Sequence, residues 1–243
     1  MAKIKAKYGI DAPGVIRNLI VIGVALYILG IFVLPRINAG VWLTSLNWAM
    51  LYTGIFLIIE ALLMIWYSKY GKLKHRDRML ALYSFSGHER VLDIGAGRGL
   101  LAIGAAKRLT DGKVTAMDIW RTQDLSDNSK GALLANAASE RVEDKIDIIS
   151  DDICTTRLAD NSFDLIVSNL CLHNIGTASN RMTACNQILR ILKPGAVAII
   201  SDFKHTATYS KVFVEAGAKV EKVGTFIFST FPALTVIKII KPA

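Results

Sequence analysis

The sequence predicts an α/β protein: a doubly wound sheet of seven strands, preceded by two helices of membrane-spanning length. Three observations carry this. From Arg90 onward, apolar runs of strand length alternate with helical periods. A glycine-rich turn, Gly95-Ala96-Gly97-Arg98-Gly99, joins the first of those runs to the first helix. Ahead of them, the segments at about residues 15–34 and 46–67 are apolar over nearly their whole length.

Leu19 to Leu34 contains no charge. With Val15 and Ile16 beyond Arg17-Asn18, whose long cation can snorkel, it reaches the about 20 residues that a span needs. Pro35-Arg36 ends it. The second run, Val41 to Tyr67, carries Trp42, Trp48, Trp66 and Tyr67 near its ends, as interfacial aromatics would be placed. A cleaved signal peptide is the competing reading of the first run, since Ile37-Asn38-Ala39-Gly40 offers small residues. A core hairpin of a soluble protein is the other. A second span would still follow a cleaved leader, and two such runs side by side favour a membrane hairpin over residues 1–68.

Lys3, Lys5, Lys7 and Arg17 precede the first run, and Lys69, Lys72, Lys74, Arg76 and Arg78 follow the second; the connecting loop holds only Arg36. Both termini and the following domain are therefore expected on the cytoplasmic side, with the loop outside. Glu60 is the one charge in the second run. It reads either as a carboxyl satisfied against the partner helix or as a contact to a polar substrate group or a second protomer. Residues 69–89 place Met79, Leu80, Leu82 and Tyr83 on a helical period among basic residues, predicting an amphipathic linker helix beside the headgroups.

The net charge of +9 is uneven: residues 1–80 hold 10 Lys/Arg and 3 Asp/Glu, residues 81–243 hold 19 and 17. A nearly neutral domain argues against a nucleic-acid groove. Cys154, Cys171 and Cys185 form no CxxC pair and no metal spacing, which fits buried thiols in a reducing compartment and no metal site.

Within the domain, residues 90–243, strands are expected at 90–95, 113–118, 145–149, 163–169, 196–202, 220–228 and 234–240. Helices are expected at 99–109, 129–139 (with Asn128 as N-cap), 180–192 and 209–216. Lys193-Pro194-Gly195 reads as a turn. The short connection at Phe231-Pro232 makes the last two strands antiparallel to each other.

The glycine turn does not fit the dinucleotide fingerprint, whose third glycine would fall at Leu100. Its glycines alternate, and Asp93 stands two residues before the first, where a carboxylate would repel a pyrophosphate but suit a cationic amino-acid ligand. Asp93-x-Gly95-x-Gly97-x-Gly99 resembles motif I of the class I S-adenosylmethionine (SAM) dependent methyltransferases, which have a Rossmann-like fold. The resemblance covers about residues 75–243 and is closest to small-molecule enzymes such as those of quinone biosynthesis. It leaves the hairpin outside.

That resemblance implies SAM as cofactor and S-adenosylhomocysteine as product. It places Asp93, Gly95, Gly97 and Gly99 around the methionine end, and Asp118 on the ribose hydroxyls. Ile119 and Trp120 would lie against adenine, and Asp152 with Ile153 at its amino group. Asn169, ending the fourth strand, would lie near the sulfonium. Leu192-Lys193-Pro194-Gly195-Ala196 resembles the turn before the family's fifth strand, and Trp120 to Asp127 is longer than usual.

Methyl transfer from a sulfonium mainly needs alignment and exclusion of water, with a base only for a protonated acceptor. His173 and Asp202 are the candidate catalytic residues, and Tyr83 is a candidate cover for the cofactor. Two spans suggest an amphipathic or lipid-like acceptor and contact with membrane lipids. A methyltransferase of a membrane protein and a non-catalytic SAM-binding module are the alternatives, and oligomerisation through the hairpin stays open.

Overall fold

A computed structural model describes residues 6–33 and 40–243. The expected loop with Pro35-Arg36 and Ile37-Asn38-Ala39 lies outside the described residues, as do Lys3 and Lys5.

Helices α1 (Pro13–Ile28, continued by a π-turn to Val33) and α2 (Gly40–Trp66) form an antiparallel pair. Small residues let their backbones touch: a Cβ on Gly54 would lie 2.6 Å from the Gly23 carbonyl oxygen, and one on Gly23 would lie 2.9 Å from that of Gly54. Outward faces are apolar, with Val21, Ile22, Phe32, Trp48, Tyr52, Phe56 and Leu62 all exposed. Both helices are long and apolar enough to cross a membrane.

The second helix does not hand over to a separate linker. It runs through a π-turn (Tyr67–Gly71) into α3 (Lys72–Leu80), whose Lys72, His75, Met79 and Leu80 are buried. His75 Nε2 lies 2.7 Å from Ser201 Oγ inside the domain. The stretch read as a surface linker is thus part of the domain's own packing.

The sheet contains β1 (Arg90–Ile94), β2 (Lys113–Asp118), β3 (Ile146–Ser150), β4 (Phe163–Asn169), β5 (Leu192–Asp202), β6 (Lys219–Phe226) and β7 (Leu234–Ile240). Their order is β3-β2-β1-β4-β5-β7-β6, parallel except for β7, which is antiparallel to both neighbours. Helix α3, α4 (Leu100–Ala106) and α5 (Lys130–Glu140) cover one face; α6 (Ala178–Ile191) and α7 (Thr206–Glu215) cover the other. Successive strand residues feed opposite layers, Val91 one core and Leu92 and Ile94 the other. Two local readings change. Ser129, not Asn128, caps α5 by accepting from the Ala132 amide. Lys193-Pro194-Gly195 is an irregularity inside β5, with Gly195 at φ 73°, rather than a turn before it.

Candidate active site

Strand order reverses between β1 and β4, and the cleft opens there at the carboxyl edge of the sheet. It holds a cavity of about 860 Å³, inside the about 300–1,000 Å³ range of small-molecule sites. Asp93, Gly95, Gly97, Asp118, Ile119, Asp152, Ile153, Asn169 and His173 all line it. Gly99 and Asp202 do not.

Asp93 is almost fully buried and accepts the Ala102 amide at 2.8 Å. Burial pushes its carboxyl up to about 7, with the neighbouring Asp118 adding to the rise. A cationic group arriving in the cavity would restore its charge. Gly95 has φ 73°, and a Cβ there would collide with Cys171 Sγ. At Gly97 (φ 55°) the obstacle would be the Leu125 side chain. These glycines therefore seat the turn against the loops following β4 and β2, as well as opening it to a ligand.

Asp118 accepts the Gly97 amide at 2.7 Å on one oxygen, and Trp120 N–H and Asn128 Nδ2 on the other. Asn128, displaced from its expected cap, thus braces the carboxylate. Ile119 is half exposed in the cavity wall. Trp120 leaves it: at φ 61° its indole N–H turns to Ser150 Oγ, so only Ile119 of that pair offers a surface to a ligand. Asp152 uses Oδ1 to accept the Cys154 amide at 2.8 Å. Asn169 Oδ1 and the Tyr67 hydroxyl, just past α2, are buried and face each other, an acceptor against a donor. The pair puts a side chain from the helical hairpin against the end of β4 in the cavity wall.

Behind His173 stands Asp202, fully buried. It accepts the backbone N–H of His173 at 3.0 Å and that of Phe203 at 2.8 Å. His173 Nδ1 lies 2.7 Å from its Oδ1, off the line that a hydrogen bond requires. The Phe203 ring meets the imidazole edge-on at 4.6 Å. Asp202 thus stands behind the cavity wall, touching it through His173 and Phe203 rather than lining it. Tyr83 also stays out, packed edge-to-face on Phe85 at 5.1 Å.

The other end of the cavity is walled by the hairpin and by the β6–β7 connection. Val15 and Leu19 of α1, Glu60 and Met64 of α2, and Phe231-Pro232 line it. Glu60 has no hydrogen-bond or ion-pair partner among the described residues. Between the two ends runs a strap, Tyr8 to Ala12, of which Tyr8, Asp11 and Ala12 face the cavity. Nothing in the sequence marks this strap: it is too short for a period, and Gly9 and Pro13 read only as punctuation.

Residues 92–200 match the family model described as "Methyltransferase domain". Over 129 residues the chain is 31% identical to an uncharacterized methyltransferase of Mycobacterium bovis, covering 53% of this chain and 58% of that one. It is 30% identical over 117 residues to the demethylmenaquinone methyltransferase of Renibacterium salmoninarum, covering 48% and 42%. The chain thus spans about half the length of these relatives. Among solved structures, the N-methyltransferase NodS of Bradyrhizobium japonicum superposes with a TM-score of 0.58 at 17% identity, covering 71% of this chain and 97% of that one. The YcgJ protein of Bacillus subtilis gives 0.57 at 12% identity, covering 70% and 99%. Residues 92–200 thus match a methyltransferase domain in sequence, and the sheet has the fold of solved SAM-dependent methyltransferases.

Proposed function

We propose that this chain is an integral membrane methyltransferase that carries the methyl group of SAM to a small amphipathic or lipid-like acceptor at the cytoplasmic face. One observation carries this reading: the cavity that starts at Asp93 runs on without a break to Leu19, Glu60 and Met64. Leu19 and Glu60 each lie six residues from the domain-side end of their helix, about 9 Å along it at 1.5 Å per residue. An acceptor reaching the cofactor by that route would leave its apolar part between the hairpin helices. Bacterial quinone methyltransferases among the relatives are in keeping with such an acceptor.

Bound SAM supplies an electrophilic methyl and a neutral thioether leaving group. Asp93 would face its ammonium, Asp118 its ribose, and Asp152 with Ile119 and Ile153 its adenine. With Nδ1 turned to Asp202, His173 keeps Nε2 for a proton of the acceptor. Phe203 and the apolar hairpin wall keep water from that end. Glu60 is placed to meet a hydrogen-bond donor or cation on the acceptor head.

The test is methyl transfer from labelled SAM in membranes containing the full chain, with the label sought in lipid extract, protein pellet and aqueous phase. Label in the lipid extract is expected. Label confined to the protein pellet would instead mean methylation of a membrane neighbour. Intact cofactor binding with no label in any fraction would leave a binding module.

A further inference from the structure

We infer that the strap Tyr8–Ala12 is a wall of the cofactor site, held shut by Lys72 and Asn136, and that through it cofactor binding is coupled to packing of the hairpin. The inference rests on SAM being the domain's cofactor and is independent of the acceptor.

The strap is built into the domain rather than laid over it. Asn136, buried on α5, accepts the Lys7 amide at 2.8 Å and returns a bond from Nδ2 to the Lys7 carbonyl at 3.0 Å. The same Nδ2 lies 2.9 Å from the Arg98 carbonyl, inside the glycine turn. One side-chain amide thus ties strap to turn. Ile10 donates to Ser126 Oγ at 2.8 Å and accepts from the Ser126 amide at 3.0 Å, while Ala12 donates to the Asp124 carbonyl at 2.9 Å. Asp11 and Leu125 form an antiparallel bridge. These partners belong to the long connection after β2, whose Asn128 braces Asp118.

Lys72 fastens the other side. Only 4% exposed, it donates to the Tyr8 and Gly9 carbonyls at 2.8 and 2.7 Å and pairs with Asp11 at 3.4 Å. The ammonium's bonds all go to the strap. A buried cation so committed needs those acceptors in place. Asp11 in turn accepts from Ser68 Oγ at 3.0 Å and donates its amide back to that oxygen at 3.1 Å. Ser68 lies just past α2, and Asp11 just before α1. The clamp therefore joins the two domain-side ends of the hairpin, and the strap cannot leave the cleft without parting them.

A ligand enclosed by the closed strap binds that state better than the open one, and by linkage a strap held closed binds the ligand better. Lys72 and Asn136 are positioning residues, since both act through the strap.

The experiment uses the full chain in lipid nanodiscs, with S-adenosylhomocysteine as probe. Trypsin cleavage after Lys7, followed by mass spectrometry, reports strap opening in the unaltered protein. Saturating probe should slow that cut at least fivefold. Equal rates, including no cut in either condition, would overturn the coupling. Asn136→Asp and Lys72→Met should each weaken probe binding by about tenfold and speed the cut at Lys7, with thermal unfolding still cooperative. Unchanged affinity in a variant whose strap is cut faster would show that the strap walls nothing. Should Lys72→Met not fold, Asn136→Asp and the unaltered protein still decide the matter.

Discussion

The cofactor end of the cavity takes its polar residues from strand ends: Asp93, Asp118, Asp152 and Asn169 sit at or just past β1, β2, β3 and β4. The hairpin end takes its walls from α1, the root of α2 and the β6–β7 connection, which only the tertiary fold brings together. At the first end each carboxylate is oriented by backbone amides nearby in sequence, such as Ala102 on Asp93 and Trp120 on Asp118. At the second, Glu60 is held by nothing among the described residues. One end is preorganised for a fixed ligand. The other, on the proposed reading, is the acceptor's passage, with Glu60 left for a polar group of the acceptor.

That contrast can be broken at its largest where the two ends meet. His173→Ala should lower methyl transfer by about 10²–10⁴-fold, the usual worth of a general base. Affinity for S-adenosylhomocysteine should stay unchanged by calorimetry if the imidazole serves the acceptor, as proposed. A parallel loss of affinity would mean that His173 belongs to the cofactor end. Next, Asp118→Ala should cost about 1–3 kcal/mol of binding, because ribose hydroxyls and the Gly97 amide lose a shared acceptor. Turnover at saturating SAM should fall much less.

The effect of pH follows from Asp93. With its carboxyl pushed up to about 7 by burial, the group is protonated below that pH. Binding of a ligand ammonium then has to release a proton, so affinity should fall by up to about tenfold per unit below pH 7 and be flat above it. For stability the sign is opposite. The folded state holds the proton more tightly than the unfolded chain between about pH 4 and 7, so this carboxyl's contribution declines as pH rises through that window. Asp93→Asn should abolish the pH dependence of binding in titrations from pH 5 to 8.

The smallest effect belongs to the hairpin alone. Gly54→Ala would put a Cβ 2.6 Å from the Gly23 carbonyl oxygen. Forcing α1 and α2 apart should cost about 1–3 kcal/mol, the range for overpacking. A lower midpoint in thermal unfolding of the nanodisc-embedded protein would register it.

All seven strands were legible because a buried parallel strand leaves an apolar run flanked by turn residues, and the acids at strand ends follow from the register. Asn128 and Ser129 are both good caps, and only the proximity of Asp118 decides between them. Trp120 was misplaced because its side chain is directed by a left-handed backbone that no neighbouring glycine announces. Sequence places Asp202 at a strand end as a catalytic candidate but does not give its depth behind the cavity wall. The strap and Lys72 were beyond reach for a different reason. Their partners lie 57 to 129 residues away, and Lys72 looks like one more cation in a basic stretch.

Lys7 and Asn136 are separated by 129 residues. A ribosome adding about 5–20 residues per second completes that interval in roughly 6–26 s. During that time both hairpin helices and β1 have been made, yet the amide that clasps the strap has not. Until then Lys72, Ser68 and Asp11 can close only the hairpin's own ends. The strap is thus made well before the side chain that ties it to the glycine turn, and α5 has to be completed before the two can be joined.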